Sequence, residues 1–143
     1  MSNIFKQVNG GIAKFVAQPA VGTTLILAAR LLAAAIFIIA GYGKLGNYAG
    51  TQGYMAAAGV PGALLPLVIA LELGGGLALL FGFQTRLVGF LLSMFCIATA
   101  LIFHSGAAQH IMFLKNLSMA GGMLAFTVFG GGRASLDGES RSS

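Results

Sequence analysis

Two ionisable side chains stand inside otherwise apolar runs of this 143-residue chain. Glu72 lies in "LLPLVIALELGGGLALLFGF" and Arg30 in "GTTLILAARLLAAAIFIIAGY". A lone charge at the centre of a bilayer costs about 2.5–3.5 kcal/mol on insertion scales. A carboxylate and a guanidinium can remove both costs by forming one bidentate pair. Counted along helices at 1.5 Å per residue, Arg30 lies about 12 Å into its run and Glu72 about 16 Å from the far end of its own. The sequence therefore predicts a buried Arg30–Glu72 unit. Such a pair can serve as a register pin between helices. It can also line a cavity that binds a polar group or carries protons, and intramembrane ionisable groups favour that second reading.

A second polar set clusters at the ends of the apolar runs: Tyr42, Lys44, His104, Lys115 and Asn116. Lys44 is equally well read as a snorkelling lysine. Lys115 and Asn116 are adjacent on a helix and so point to different sides, which is harder to explain by snorkelling. Cys96 is the sole cysteine, which rules out an internal disulfide or a CxxC pair and reads as an inert buried thiol. The two histidines have no carboxylate near them in "FHSGAAQHIMF", so no metal site is expected.

The elements that must carry these residues follow from composition. Only 8% of residues are charged and 57% are hydrophobic, against about a quarter charged in soluble domains. Four apolar runs, at about 22–42, 63–83, 86–104 and 111–130, each have roughly the length of a membrane-crossing helix. Strand-like alternation is missing. The expected fold is all-α: an integral-membrane, antiparallel four-helix bundle spanning residues 20–131, left-handed in its packing. The net charge of +5 forms no basic stripe, so nucleic acid is not an expected partner.

Residues 1–19 place Ile4, Val8, Ile12 and Val16 on one helical face, the pattern of an amphipathic interfacial segment. A signal peptide is disfavoured because Arg30 interrupts the next run. In the first connection, Thr51 is placed to cap a short helix reaching Ala58, before Val60-Pro61-Gly62 turns the chain. Ala70, Gly74, Ala78 and Gly82 recur every fourth residue and read as a helix-packing stripe, with Gly76 below Glu72 on the same face. Gly121 and Gly122 are read the same way on the last span. The Ser/Gly-rich segment 132–143 is expected to be a disordered cytoplasmic tail. Lys6, Lys14, Arg86, Arg133 and Arg141 on one side, against Lys44 and Lys115 on the other, place both termini in the cytoplasm.

Arg30, "GYGKLGNYAGTQGYMAAAGVPG", "ALELGGGLALLFGFQTR", "FHS" and "FLKNLSMAGG" together resemble the DoxX family of small bacterial membrane proteins. The resemblance covers most of residues 28–130. It implies a multi-pass inner-membrane protein in a redox or oxidative-stress setting, with the family's polar positions at Arg30, Lys44, Glu72, Arg86, His104, Lys115 and Asn116. The loop between His104 and Lys115 is short for the family. Three functions follow as expectations. The first is a non-catalytic subunit or scaffold of a quinone- or sulfur-linked complex, with redox-complex proteins or further copies of itself as partners. The second is an oxidoreductase acting directly on quinone, and the third a small transporter or proton path. No intrinsic cofactor is expected, and quinone is the candidate ligand. Whether the chain is catalytic stays open at this level.

Overall fold

The computed structural model of the chain describes residues 2–138. Its helices are α1 (Ser2–Ala17), α2 (Pro19–Gly46), α3 (Tyr48–Ala57), α4 (Gly62–Phe81), α5 (Thr85–Phe103) and α6 (His110–Phe129). A 3-10 turn over Ala107–Gln109 leads into α6. Helices α2, α4, α5 and α6 are long and apolar enough to cross a membrane. Their outer faces carry large apolar side chains, such as Leu32 (78% exposed) and Phe129 (72%). A bilayer covers such a surface without cost, and a helix is a form that satisfies its own backbone there.

Local chemistry sets the boundaries. Gln18 is extended and Pro19 starts α2, because proline's fixed φ suits a first helical position and its missing N–H costs nothing there. The helix then runs past the expected end at residue 42 and carries Lys44 on its last turn. Thr51 does not cap α3. Its hydroxyl donates to Asn47 O at 2.8 Å, so it sits inside a helix that already began at Tyr48. Gly59, at φ +78°, permits the turn towards α4.

Helix α4 is not regular. Residues Ala70–Gly74 form a π-turn with Glu72 at its centre. Such wider turns insert a residue and often mark functional positions. The turn also decides which residues face the bundle. Leu65, Ile69, Glu72, Gly76 and Leu79 are buried. The expected stripe is therefore corrected: Ala70 and Gly74 are exposed, and a Cβ on Gly74 would meet nothing within 4 Å. Ala78 is half-buried, and only Gly82 of the four is fully covered. Gly76 does pack closely, since a Cβ there would stand 2.9 Å from Ile38 Cγ1. Gly121 and Gly122 are corrected likewise, because both face open space.

Contacts along α2 and α4 pair Gly41 with Leu73, and Phe37 and Ile38 with Gly76, so these helices run in opposite directions. The same holds for α5 and α6, the tightest pair. Ser93 Oγ donates to Ala120 O at 3.0 Å, and Arg86 donates to Thr127 O and Val128 O. Gly89 admits the Met123 carbonyl, which a Cβ would meet at 2.8 Å. The main core joins Ala34 and Phe37, Leu79, Leu92 and Cys96, and Ala120 and Met123. A smaller core under α3 holds Met55, Leu65 and Ile69.

The tail is the largest departure from expectation. Residues 130–138 are not disordered but fold back beneath the bundle; residues 139–143, with Arg141, lie outside the described residues. Leu136 N and Asp137 N donate to Phe81 O and Gly82 O at 3.0 and 2.9 Å. The Asp137 carboxylate accepts from Gln84 N at 2.7 Å and Thr85 N at 2.8 Å. It thereby caps the free amides at the start of α5, where a negative charge also suits the helix dipole.

Candidate functional site

The two buried charges do not meet. Arg30 is buried at the end of the molecule that holds the tail, donating to Gly131 O at 3.2 Å and Ala134 O at 2.6 Å. Glu72 is instead paired with Lys44, whose Nζ lies 2.6 Å from Oε2. This corrects the expected Arg30–Glu72 unit, and the reason is geometric. Arg30 packs beside Gly82, which lies about 15 Å along α4 from Glu72. Depths counted from the ends of apolar runs place the two at one level. The true register of α2 on α4 sets Lys44 opposite Glu72.

The Lys44–Glu72 pair forms part of the wall of a cavity of about 420 Å³ enclosed by α2 to α6. The π-turn and the glycines after it hold Glu72 inward, and its side chain is 7% exposed. Lys44 reaches in from the last turn of α2 and keeps 26% of its side chain exposed. Most of the remaining wall is apolar, with Phe37, Met55, Phe95 and Met119 among its members.

Three further groups complete the wall. Asn116 Nδ2 donates to Met112 O at 3.0 Å, and Asn116 Oδ1 accepts from the Thr99 hydroxyl at 3.3 Å. His104 ends α5, with Nδ1 3.3 Å from Gln109 Oε1, a hydrogen bond when Nδ1 carries the proton. Tyr54 of α3 stacks on Phe103 with centroids 5.1 Å apart and planes 14° from parallel. The arrangement offers an apolar, partly aromatic slot with hydrogen-bond donors fixed at its edges, a form common to small-molecule sites.

Of the expected outer cluster, Lys44, His104 and Asn116 come together around this cavity. Tyr42 is 71% exposed and Lys115 is exposed; neither lines it. Tyr54, Thr99 and Cys96 line it without having been singled out for it. Thr99 had a readable signal, since it follows Cys96 by three residues and so shares its helix face.

At the opposite end, Asp137 combines burial with several stabilising partners. Burial pushes its carboxyl pKa up, but the donors of Thr85 and Gln84 and the charge of Arg30 outweigh this and hold it below the ordinary carboxylate value.

A family model, DoxX, matches residues 25–105, a stretch that includes Arg30, Lys44, Glu72 and His104. Inner membrane protein YqjF of Escherichia coli (strain K12) is 51% identical over 115 residues, 78% of this chain and 88% of that one. Inner membrane protein YphA of the same strain is 37% identical over 123 residues, 79% of this chain and 88% of that one. "Putative oxidoreductase CatD" of Bacillus subtilis (strain 168) is 32% identical over 74 residues, 52% of this chain and 53% of that one. No solved structure matches the chain.

Proposed function

The chain belongs to the DoxX family and is a multi-pass inner-membrane protein, and from that premise we propose that its cavity binds a membrane-dissolved molecule of the quinone type. The observation that carries this reading is the Lys44–Glu72 pair set into the wall of an otherwise largely apolar cavity. An ammonium has three donors and no acceptor. Glu72 takes one, which leaves Lys44 donors for a ligand that presents only acceptors, as a quinone's carbonyls do. The apolar walls suit the ring, and Tyr54 and Phe103 supply aromatic faces near its edge. The name of CatD adds a redox setting to the family.

Reducing a quinone takes two electrons and two protons. Lys44, Glu72 and His104 are groups that can exchange protons, but a single cysteine cannot cycle as an internal dithiol. We therefore assign the chain the part of a binding subunit whose bound quinone takes its two electrons from a redox partner. The test is equilibrium binding of a benzoquinone to the purified protein in lipid nanodiscs. Wild type should bind saturably and Lys44→Met should not. Absence of saturable binding by the wild type removes the proposal.

The proposed orientation places both termini in the cytoplasm. Lys6, Lys14, Arg86 and Arg133 then lie inside and Lys44 and Lys115 outside, as the positive-inside rule favours. With Cys96 replaced by alanine, cysteines at Gly11 and Gly53, positions with open space for a side chain, should label from opposite faces of the membrane. Labelling from one face contradicts the orientation.

A further inference from the structure

A second cavity, of about 580 Å³, lies between the same two helices that bound one side of the first. Ala29, Leu32 and Ala33 of α2 face Gly122, Ala125 and Phe126 of α6 across it. These two spans meet only sparsely, in contrast to the closely packed α5 and α6. The cavities hand over from one to the other at matching points. On α2 the groove includes Ala33 and the site cavity includes Ile36; on α6 the site cavity includes Met119 and the groove includes Gly122. Each step is three residues, about 4.5 Å of helix. The two spaces therefore follow one another along one seam between α2 and α6. From Ile26 to Ala40 that seam is about 21 Å long.

Chemistry divides the seam into two parts. The site cavity carries the ion pair, His104 and Asn116. The groove is lined by alanine, glycine, leucine, isoleucine and phenylalanine alone. One end suits a head with polar atoms and the other suits a hydrocarbon chain.

We infer that the groove between α2 and α6 holds the hydrocarbon chain of the molecule whose head occupies the Lys44–Glu72 cavity, and that this ligand enters sideways from the bilayer. The inference rests on the binding reading above and adds to it the ligand class: an amphiphile with one long isoprenoid or acyl chain. Alignment with the head cavity, one step of three residues away on both helices, selects that occupant over unrelated lipid or a second copy of the chain. Either of those would use the groove without reference to the cavity beside it.

Gly122→Leu tests this cleanly, because a side chain there meets open space and should not disturb packing. Gly121→Leu is the control, since Gly121 also faces open space but does not line the groove. Binding to the full chain in nanodiscs is measured with two probes: a methoxy-substituted benzoquinone without a side chain, and the same ring bearing an isoprenoid chain. Wild type and Gly121→Leu should bind the chain-bearing probe more tightly. Gly122→Leu should lose about tenfold for that probe, as displacing two methylenes predicts, and should bind the ring-only probe unchanged. A chain preference that survives Gly122→Leu overturns the inference while leaving the head site in place. So does a change in oligomer mass with chain preference intact, which would give the groove to a second copy. A third probe, a long-chain isoprenoid alcohol, separates the two proposals. If it competes with the chain-bearing quinone and no ring-only quinone binds, the groove inference stands and the quinone reading falls.

Discussion

The two ends of the bundle each hold a cation, Arg30 buried and Lys44 half-buried, and they do opposite things with it. At the tail end, Arg30 is enclosed and its two terminal nitrogens donate to backbone carbonyls of residues 131 and 134. The tail that accepts them also caps α5 through Asp137. At the other end, Lys44 meets a carboxylate, and the pair fronts a cavity. A buried charge whose partners are the chain's own backbone closes a structure. A half-buried ion pair in the wall of a largely apolar cavity keeps Lys44 donors directed at a space that a ligand can share. Burial alone does not distinguish these cases; what lies next to the charge does.

The largest effect expected from this contrast is on stability at the closed end. Arg30→Met leaves the buried Gly131 carbonyl and the part-buried Ala134 carbonyl without their charged donor. At about 1.5–3 kcal/mol for each hydrogen bond to a charged group, the loss should be about 3 kcal/mol or more, read as a lower unfolding midpoint in detergent. Residues 130–138 should also become open to protease. An unchanged midpoint with a protected tail would remove the clasp from the account.

A smaller effect separates two neighbouring glycines of α4. Gly76→Ala drives a methyl to 2.9 Å from Ile38 Cγ1 and should cost about 1–3 kcal/mol by overpacking. Gly74→Ala meets open space and should stabilise by up to about 1 kcal/mol through helix propensity. Thermal unfolding of the pair checks whether the π-turn sets the packed face as described. Equal midpoints would contradict it.

The legible part of this fold was what length and hydropathy encode. Four runs of about twenty apolar residues can only be spans, so the four-span fold followed from the sequence. Facing residues were harder. Lys44 and Glu72 stand equally far, in residues, from Ala58 at the turn between their helices, and that symmetry was readable. Counting depth from the ends of apolar runs hid it, because α2 extends beyond its apolar run to Gly46. The π-turn carries no propensity signal, so the four-residue glycine spacing pointed to the wrong face. The tail's order depends on Arg30 and on amides at Gln84 and Thr85, all distant in sequence, whereas its Ser/Gly composition speaks only of local disorder. A cavity is a gap between helices, and no residue pattern spells one.

The smallest effect is a pH dependence confined to the tail. Asp137 has a pKa held below its unfolded value, near 3.9 for a free side chain. Its contribution is thus complete above that value and is lost as pH falls through the lower folded value. The protection factors of the Gln84 and Thr85 amides should fall below about pH 4, while those at the Lys44 end hold. Asp137→Ala should remove the pH step and cost about 1 kcal/mol as a lost cap. A pH step that persists in Asp137→Ala would assign the effect elsewhere.

The central claim is that the ligand meets Lys44 and not Arg30. It is tested most directly by measuring benzoquinone affinity for Lys44→Met and Arg30→Met in nanodiscs, each corrected for its folded fraction. Lys44→Met should abolish saturable binding, and the folded fraction of Arg30→Met should bind as wild type does. Retained binding in Lys44→Met, with loss in Arg30→Met, would contradict the claim and move the site to the tail end of the bundle.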